Sequence, residues 1–340
     1  MFNKILNKLV NKNNLNESEI IMAMNEIMEG KASNAQVGAF LVALRMKGET
    51  SEEIVGCAKV MREKALPINI GKIDAIDTCG TGGDGKNTFN VSTISAIIAA
   101  AAGVTTVKHG NRSVSSKCGS ADVLEALGVN IALKPQQVQR CIEEINIGFL
   151  FAPTFHISMK NVAPARKELG IRTIFNILGP LTNPGNVNSQ IMGVFDIALT
   201  ENIAQVLKEL GLERAYVLHS LDGMDEISIF NKTKVSELKN GEINTFYINP
   251  SDYGLQGEDF NEISGNSSKD NAGIILDILK GKKGAARNIA LLNAGAAIYI
   301  GNGAVSLEEG ILKGSQVVDS GLALKKLNDF IAYTNRSEEK

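Results

Sequence analysis

Apolar positions recur at helical spacing through residues 1 to about 66, with Ile20, Ile21, Met24, Ile27 and Met28 on one stripe and Phe40, Leu41, Val42, Leu44 and Met46 in a denser run. Thr50 followed three residues later by Glu53 is a capping box in front of Ile54, Cys57, Val60 and Met61, and Gly30, Gly48 and Pro67 punctuate the helices. No strand pattern or chemical constellation falls here, so this part reads as a packing or subunit-contact unit. From Asp74 the pattern switches to short apolar strands alternating with helices, the signature of a mostly parallel sheet covered by helices. Strands are expected at 76–79, 104–107, 129–133, 148–152, 190–194 and 215–219, with helices at 92–102, 121–127, 135–145 and 204–210. Residues 157–187 break the alternation. There 162–169 and 173–178 read as helical, while Gly179-Pro180-Leu181-Thr182-Asn183-Pro184-Gly185 carries too many breakers for regular structure. Beyond it, 227–230, 234–238 and 245–248 read as an antiparallel extension, and helices at 268–280, 284–300, 306–313 and 316–331 complete the chain.

The fold class that follows is α/β: a small all-helical N-terminal domain, residues 1–70, joined by a return segment at 160–187, and a larger α/β domain formed by 71–159 and 188–340. A chain of 340 residues can carry both units. Its net charge of -2 argues against a general nucleic-acid or membrane-surface protein, since such proteins present a strongly basic face. Cys57, Cys79, Cys118 and Cys141 lack CxxC spacing and the three histidines are isolated, so neither a disulfide framework nor a zinc cage is indicated. The apolar run Ile94 to Val104 is too short to span a membrane, and the N-terminus has no signal-peptide core. A cytoplasmic protein with reduced thiols is the expectation.

Candidate chemistry concentrates between Asp77 and Glu125, around Gly80-Thr81-Gly82-Gly83-Asp84-Gly85. No Asp or Glu occurs between Asp84 and Asp122, whereas Lys86, Lys108, Arg112 and Lys117 fall there among many Asn, Ser and Thr donors. Glycines let backbone N–H groups converge on an anion, and a helix N-terminus behind the loop adds its positive end. The loop satisfies GxGxxG, but no acidic residue follows at the distance a dinucleotide ribose requires; it satisfies GxxxxGK, but Asn87 stands where a P-loop needs Ser or Thr. A phosphorylated small molecule is the remaining reading. Asp225 and Glu226 follow a predicted strand at the same sheet edge, where paired carboxylates suit Mg²⁺ shared with substrate phosphates; the alternative is a solvated turn. His219 reads as a core residue, Cys79 as packing because no base adjoins it, and Arg166 by default as a solvated helix charge.

The motifs Asp77-Thr78-Cys79-Gly80-Thr81-Gly82-Gly83-Asp84, Asn90-Val91-Ser92-Thr93, Lys108-His109-Gly110-Asn111-Arg112, Gly119-Ser120-Ala121-Asp122, Ala163-Pro164-Ala165-Arg166, Arg172-Thr173-Ile174-Phe175-Asn176 and Leu178 to Pro184, together with Asp225-Glu226, closely resemble the anthranilate phosphoribosyltransferases. The resemblance implies transfer of a 5-phosphoribosyl group from phosphoribosyl pyrophosphate to anthranilate, in a cleft between the two domains of a homodimer paired through its helices. It implies that Gly80, Gly82, Gly83, Asp84, Thr88, Asn90, Val91, Ser92, Thr93, Lys108, His109, Gly110, Asn111, Arg112, Ser113, Val114, Ser115, Ser116 and Ser120 hold substrate, with Lys108, Asp84 and Asn111 central to catalysis. It further implies that Ser92, Asp225 and Glu226 bind Mg²⁺, two ions in all, that Asn111 and Arg166 meet anthranilate, and that His109, Pro153 and His156 lie along its path. Met159 departs from the Tyr that some relatives carry at the entrance. Two other readings are a pyrimidine nucleoside phosphorylase, whose loop usually reads Ser-Thr-Gly-Gly and which lacks the acidic pair, and a basic nucleic-acid-binding relative without the glycine loop.

Overall fold

The computed structural model describes residues 1–71, 73–113 and 117–336. Four helices come first: α1 (Phe2–Val10), α2 (Glu17–Met28), α3 (Asn34–Lys47) and α4 (Ser51–Glu63). Their starts follow from local chemistry, since Asn16, Ser33 and Thr50 each accept a backbone N–H three residues on while Glu19, Gln36 and Glu53 reach back. Their apolar stripes close on one another through Ile20, Met24, Ile27, Phe40, Leu41, Leu44 and Ile54, all buried.

The rest is built on one sheet of seven strands in the order β3-β2-β1-β4-β5-β6-β7. These are β1 (Ala75–Gly80), β2 (Thr105–Gly110), β3 (Ile147–Phe151), β4 (Ser189–Gly193), β5 (Arg214–Ser220), β6 (Thr233–Lys239) and β7 (Glu242–Ile248). The first five run parallel and the last two are antiparallel. Connecting helices are α5 (Val91–Ala101), α6 (Ser120–Ala126), α7 (Pro135–Ile145), α8 (Ala152–Phe155), α9 (Ala163–Leu169), α10 (Phe175–Leu181) and α11 (Leu199–Glu209), followed by α12 (Ser268–Leu279), α13 (Ala285–Ile300), α14 (Leu307–Asp319) and α15 (Leu322–Thr334). One face of the sheet, bearing Ile76, Ile191, Tyr216 and Leu218, packs with α5 and α12–α15. The other, bearing Met192, Val194, Ala215 and Val217, shares a continuous core with α11, with α9 and α10, and with α1–α4.

The chain winds from β1 through β2 to β3 and then returns to add β4 on the other side of β1. The strand order therefore reverses between β1 and β4, and in such sheets ligands bind beyond the strand ends at this point. The glycine loop leaves β1 there.

Four expected features differ. Residues 129–133 are not a strand: Val129 and Ile131 are buried but have no ladder partner beside the edge strand β3. Residues 227–230 likewise form a buried loop, fixed by Asn293, whose Oδ1 accepts the Ile227 N–H at 2.9 Å and whose Nδ2 donates to the Ile227 carbonyl at 2.9 Å. The breaker-rich stretch from Gly179 begins inside α10, which carries Pro180 in its last turn, and α14 runs unbroken through 313–316.

Candidate active site

Gly82, Gly83 and Gly85 all take positive φ, which lets the loop after β1 turn back over the sheet edge. The loop is pinned to β4, with the Thr81 N–H donating to the Gly193 carbonyl at 2.9 Å and the Phe195 N–H to Thr81 Oγ1 at 3.0 Å. Asp225 lies directly on it: Oδ2 accepts the Gly82 N–H at 2.9 Å. A Cβ at Gly80 would come within 2.5 Å of that carboxylate and one at Gly193 within 1.6 Å of the Asp225 carbonyl, so both strand ends need glycine. On the far side Arg172 donates to the Gly83 carbonyl and lies 4.5 Å from the Phe195 ring centroid. The next turn is held from α12, whose Asn271 accepts the Asn90 N–H at 3.2 Å, and by a bridge between Thr88 and Ser264.

Behind the loop stands the N-terminus of α5. Asn90 precedes it without a side-chain cap; the Val91 N–H donates to the Phe89 carbonyl at 2.7 Å, the Thr93 N–H to the Asn90 carbonyl at 3.1 Å and the Ser92 N–H to Glu226, so the helix presents its positive end to the loop through its dipole. Lys108 rises from β2 beneath this point, 4% exposed, and donates to the Thr78 carbonyl and, at 3.2 Å, to Ser92 Oγ. Burial pulls its ammonium pKa down while Asp77 beside it works in the opposite direction. Burial, then the neighbouring Asp84, pushes the Asp225 carboxyl up to about 7; burial, then Asp225, pushes Glu226 up well above the usual carboxylate range. Asp84, Asp225 and Glu226 thus form a carboxyl group cluster with Lys108 as its nearby cation. Their oxygens are the donors that a hard divalent cation takes, and among the described residues no three or more His, Cys, Asp or Glu side chains are placed to hold one by themselves. Mg²⁺ completes its coordination with substrate oxygens and water and is commonly bound through one or two carboxylates.

A second lobe of side chains comes from the end of β2, the residue after α8 and the short helix α9. His109 and His156 are buried with ring centroids 5.1 Å apart; His109 bonds the Gly179 backbone and His156 the Thr182 backbone, and among the described residues neither Nε2 has a partner. Burial lowers His109 to about 3 and His156 to about 4, so both rings are neutral at pH 7. Arg166 on α9 is half-buried over Phe175, 5.4 Å from the ring centroid, and no carboxylate pairs with it among the described residues. Met159 packs against the helical core.

Other expected residues fall less directly. The Arg112 guanidinium is taken up by Glu125, at 2.5 and 2.9 Å, and by Asp122 at 3.0 Å. Asn111 turns its side-chain oxygen to the Arg112 N–H at 2.7 Å, and Ser120 opens α6 with its hydroxyl 3.4 Å from the Asn111 carbonyl. Gly110 admits Ser120, whose Oγ would lie 2.1 Å from a Cβ there. Ser113 donates its N–H to Asp122 at 3.0 Å; Val114, Ser115 and Ser116 lie outside the described residues. His219 bonds the Val194 carbonyl at 2.7 Å, and Cys79, its thiol pushed up by burial, takes a hydrogen bond from Gln190 at 3.1 Å. Three residues had no assigned role in the sequence reading: Arg172, Asp77 and Asn183. A carboxylate inside the apolar run of β1 was the available signal for Asp77.

Residues 72–324 match the glycosyl transferase family α/β domain, and residues 3–65 match that family's helical bundle domain. The anthranilate phosphoribosyltransferase of Alkaliphilus metalliredigens is 59% identical over 331 residues, covering 97% of this chain and 98% of that protein. The chain belongs to the anthranilate phosphoribosyltransferase family. Another member, from Acetivibrio thermocellus, is 58% identical over 335 residues, 98% of this chain and 97% of its own. Among solved structures, the anthranilate phosphoribosyltransferase of Thermus thermophilus superposes with a TM-score of 0.93 at 38% identity, covering 98% of this chain and 99% of that one. The Saccharomyces cerevisiae anthranilate phosphoribosyltransferase in complex with phosphoribosyl pyrophosphate and Mg gives 0.90 at 30% identity, with 98% and 97% covered.

Proposed function

We propose that this chain transfers the 5-phosphoribosyl group of phosphoribosyl pyrophosphate to the amine of anthranilate, releasing pyrophosphate, as a step of tryptophan biosynthesis. The observation that carries the reading is the junction of the β1 glycine loop, Lys108, the α5 N-terminus and the Asp84, Asp225 and Glu226 carboxyls at one switch point, in a chain of this family. Lys108 and the positive end of the α5 dipole meet the charge that grows on departing pyrophosphate, preplaced so that no reorganisation is needed. Bound Mg²⁺, for which Ser92, Asp225 and Glu226 are the proposed protein ligands and two ions the proposed number, neutralises that leaving group further. As the C–O bond breaks, the ribose carbon becomes cationic, and Asp84 places a carboxyl near that charge. The arylamine is already neutral at pH 7, so its lone pair attacks without a strong base and its proton leaves after the C–N bond forms. Arg166 supports recognition of the acceptor: a half-buried guanidinium over Phe175, with no carboxylate beside it among the described residues, suits a bidentate carboxylate. The yeast family member solved with 4-fluoroanthranilate supports an acceptor of this shape.

The remaining substrate contacts inferred from sequence, the division into 1–70 with 160–187 against 71–159 with 188–340, and pairing of two copies through the helical domain belong to the same proposal. Met1, Val10 and Met46, exposed on the helical layer, support the pairing. No described helix is long and apolar enough to cross a membrane and all four cysteines are free, which supports a cytoplasmic setting. Loss of anthranilate fluorescence on adding phosphoribosyl pyrophosphate and Mg²⁺, stopped by a chelator, is the expected result. Fluorescence that persists in the complete mixture would rule the reading out.

A further inference from the structure

We propose that Asp77 and Asn183, two buried side chains outside the substrate contacts, are a positioning pair that clamps the backbone on both sides of Lys108 and fastens it to the acceptor lobe. The ladder between β1 and β2 ends early, at Ile76 opposite Thr106, whereas both strands run on to glycine. Past that point the strands are joined by side chains. Asp77 Oδ1 accepts the His109 N–H at 3.2 Å, Oδ2 accepts Asn183 Nδ2 at 2.9 Å, and the same Nδ2 donates to the Val107 carbonyl at 2.8 Å. Asn183 Oδ1 accepts the Gly185 N–H at 2.8 Å. The residues immediately before and after Lys108 are thereby held from one place, and the Lys108 side chain crosses the opened gap to the Thr78 carbonyl.

A carboxylate with no exposure in a sheet core is costly unless its oxygens are bonded, and here both are. A ladder continued by a leucine would be simpler to build, so a polar pair at this position is better explained by what it places than by what it stabilises. The other end of the clamp is anchored as well. Each carbonyl leading into Asn183 is claimed by a side chain of a different element: Gly179 by the His109 ring, Pro180 by Gln190 at 2.7 Å, Leu181 by Arg62 of α4 at 2.8 Å and Thr182 by the His156 ring. Asn183 therefore joins the strand that carries Lys108 to the α10 end on which the acceptor-side histidines rest.

This inference rests on the proposed reaction, and the wild-type protein in the same assay separates the two. Without wild-type turnover the reaction is wrong; with it, the variants judge the clamp. Asp77→Asn keeps the volume but sets an amide against the Asn183 amide, donor against donor. Misplacing a catalytic group by about an ångström costs roughly a hundredfold, so kcat per folded molecule should fall by roughly that factor while KM for phosphoribosyl pyrophosphate stays within about threefold. Asn183→Ser should do the same, and the double variant should be no worse than the poorer single one, because the two act as one unit. Wild-type kcat per folded molecule in either variant, with only a lowered melting temperature, would show a purely structural pair and overturn the inference. So would additive losses in the double variant, or failure of both single variants to fold.

Discussion

The two lobes of the proposed site solve opposite problems with opposite materials. The donor lobe is made mostly of backbone: glycines in positive φ, the N-terminus of α5, and strand ends so closely packed that Asp225 leaves no space for a side chain at Gly80 or Gly193. Its charges are buried at Lys108, half-buried at Asp225 and Glu226, and mutually perturbed, with Lys108 pulled down and the two carboxyls pushed up. The acceptor lobe is made of side chains from the end of β2, the residue after α8 and the short helix α9, where among the described residues the Nε2 atoms of His109 and His156 have no partner and Arg166 has no carboxylate. A pyrophosphate is highly charged whatever it is attached to, and backbone donors with divalent ions can serve it generically. An arylamine carboxylate is mostly apolar, and shape with one guanidinium must distinguish it. Chemistry is expected to fail when the first lobe is damaged and selectivity when the second is.

The largest expected effect that tests this division is Lys108→Ala. Loss of a preplaced donor at a developing anion costs roughly a hundredfold to a thousandfold in kcat, and the drop should appear at saturating concentrations of both substrates. Thermal melting of the same sample guards against a trivial explanation, since the change also leaves Asp77 buried without its cation. A Lys108→Ala enzyme with full kcat and a raised KM for anthranilate alone would break the comparison. Next in size is Arg166→Ala. A charge-assisted hydrogen bond contributes about 1.5–3 kcal/mol, so KM for anthranilate should rise by roughly tenfold to a hundredfold with KM for phosphoribosyl pyrophosphate unchanged. Steady-state kinetics with each substrate varied in turn reads both outcomes.

The donor lobe was the more legible of the two in the sequence, for a physical reason. Glycines, an acid-free basic stretch and an Asp-Glu step are local signals, because backbone anion sites are built from contiguous residues. Its strands were legible too, since β1, β2, β4 and β5 are short apolar runs, although β2 extends through Lys108 and His109 to Gly110 as a continuous strand. Residues 129–133 and 227–230 have the composition of strands and the burial of strands, but pairing is decided by neighbours that composition does not contain. The α10 turn through Gly179 and Pro180 shows the same limit from the other side. Local propensity opposes a helix there, and side chains from α4, β2, β4 and the end of α8 satisfy the carbonyls at its end. The acceptor lobe and the Asp77–Asn183 clamp depend on such long-range partners throughout, so local patterning offered only a charged residue in an apolar strand as a hint, and Arg166, His109 and His156 entered through the family resemblance alone.

The smallest effect, and the most selective probe of the acceptor lobe, concerns the two histidines. Burial lowers the pKa of His109 to about 3 and of His156 to about 4, and His156 further disfavours protonation of His109. Free imidazole titrates near 6.5, so the unfolded chain takes up these protons first and the stability held above about pH 6.5 is lost as pH falls toward the folded values. Asp77 acts in the reverse sense, because burial raises it to about 6 and the folded state binds its proton more tightly than the unfolded chain. A melting curve against pH would therefore mix opposing slopes, whereas ring proton NMR reads each histidine directly. Neither His109 nor His156 should show an inflection between about pH 8 and about pH 5. An inflection near 6.5 at either would mean that the ring is solvated, and the acceptor lobe would then be an open polar surface in place of the dry wall that selectivity for an aromatic amine requires.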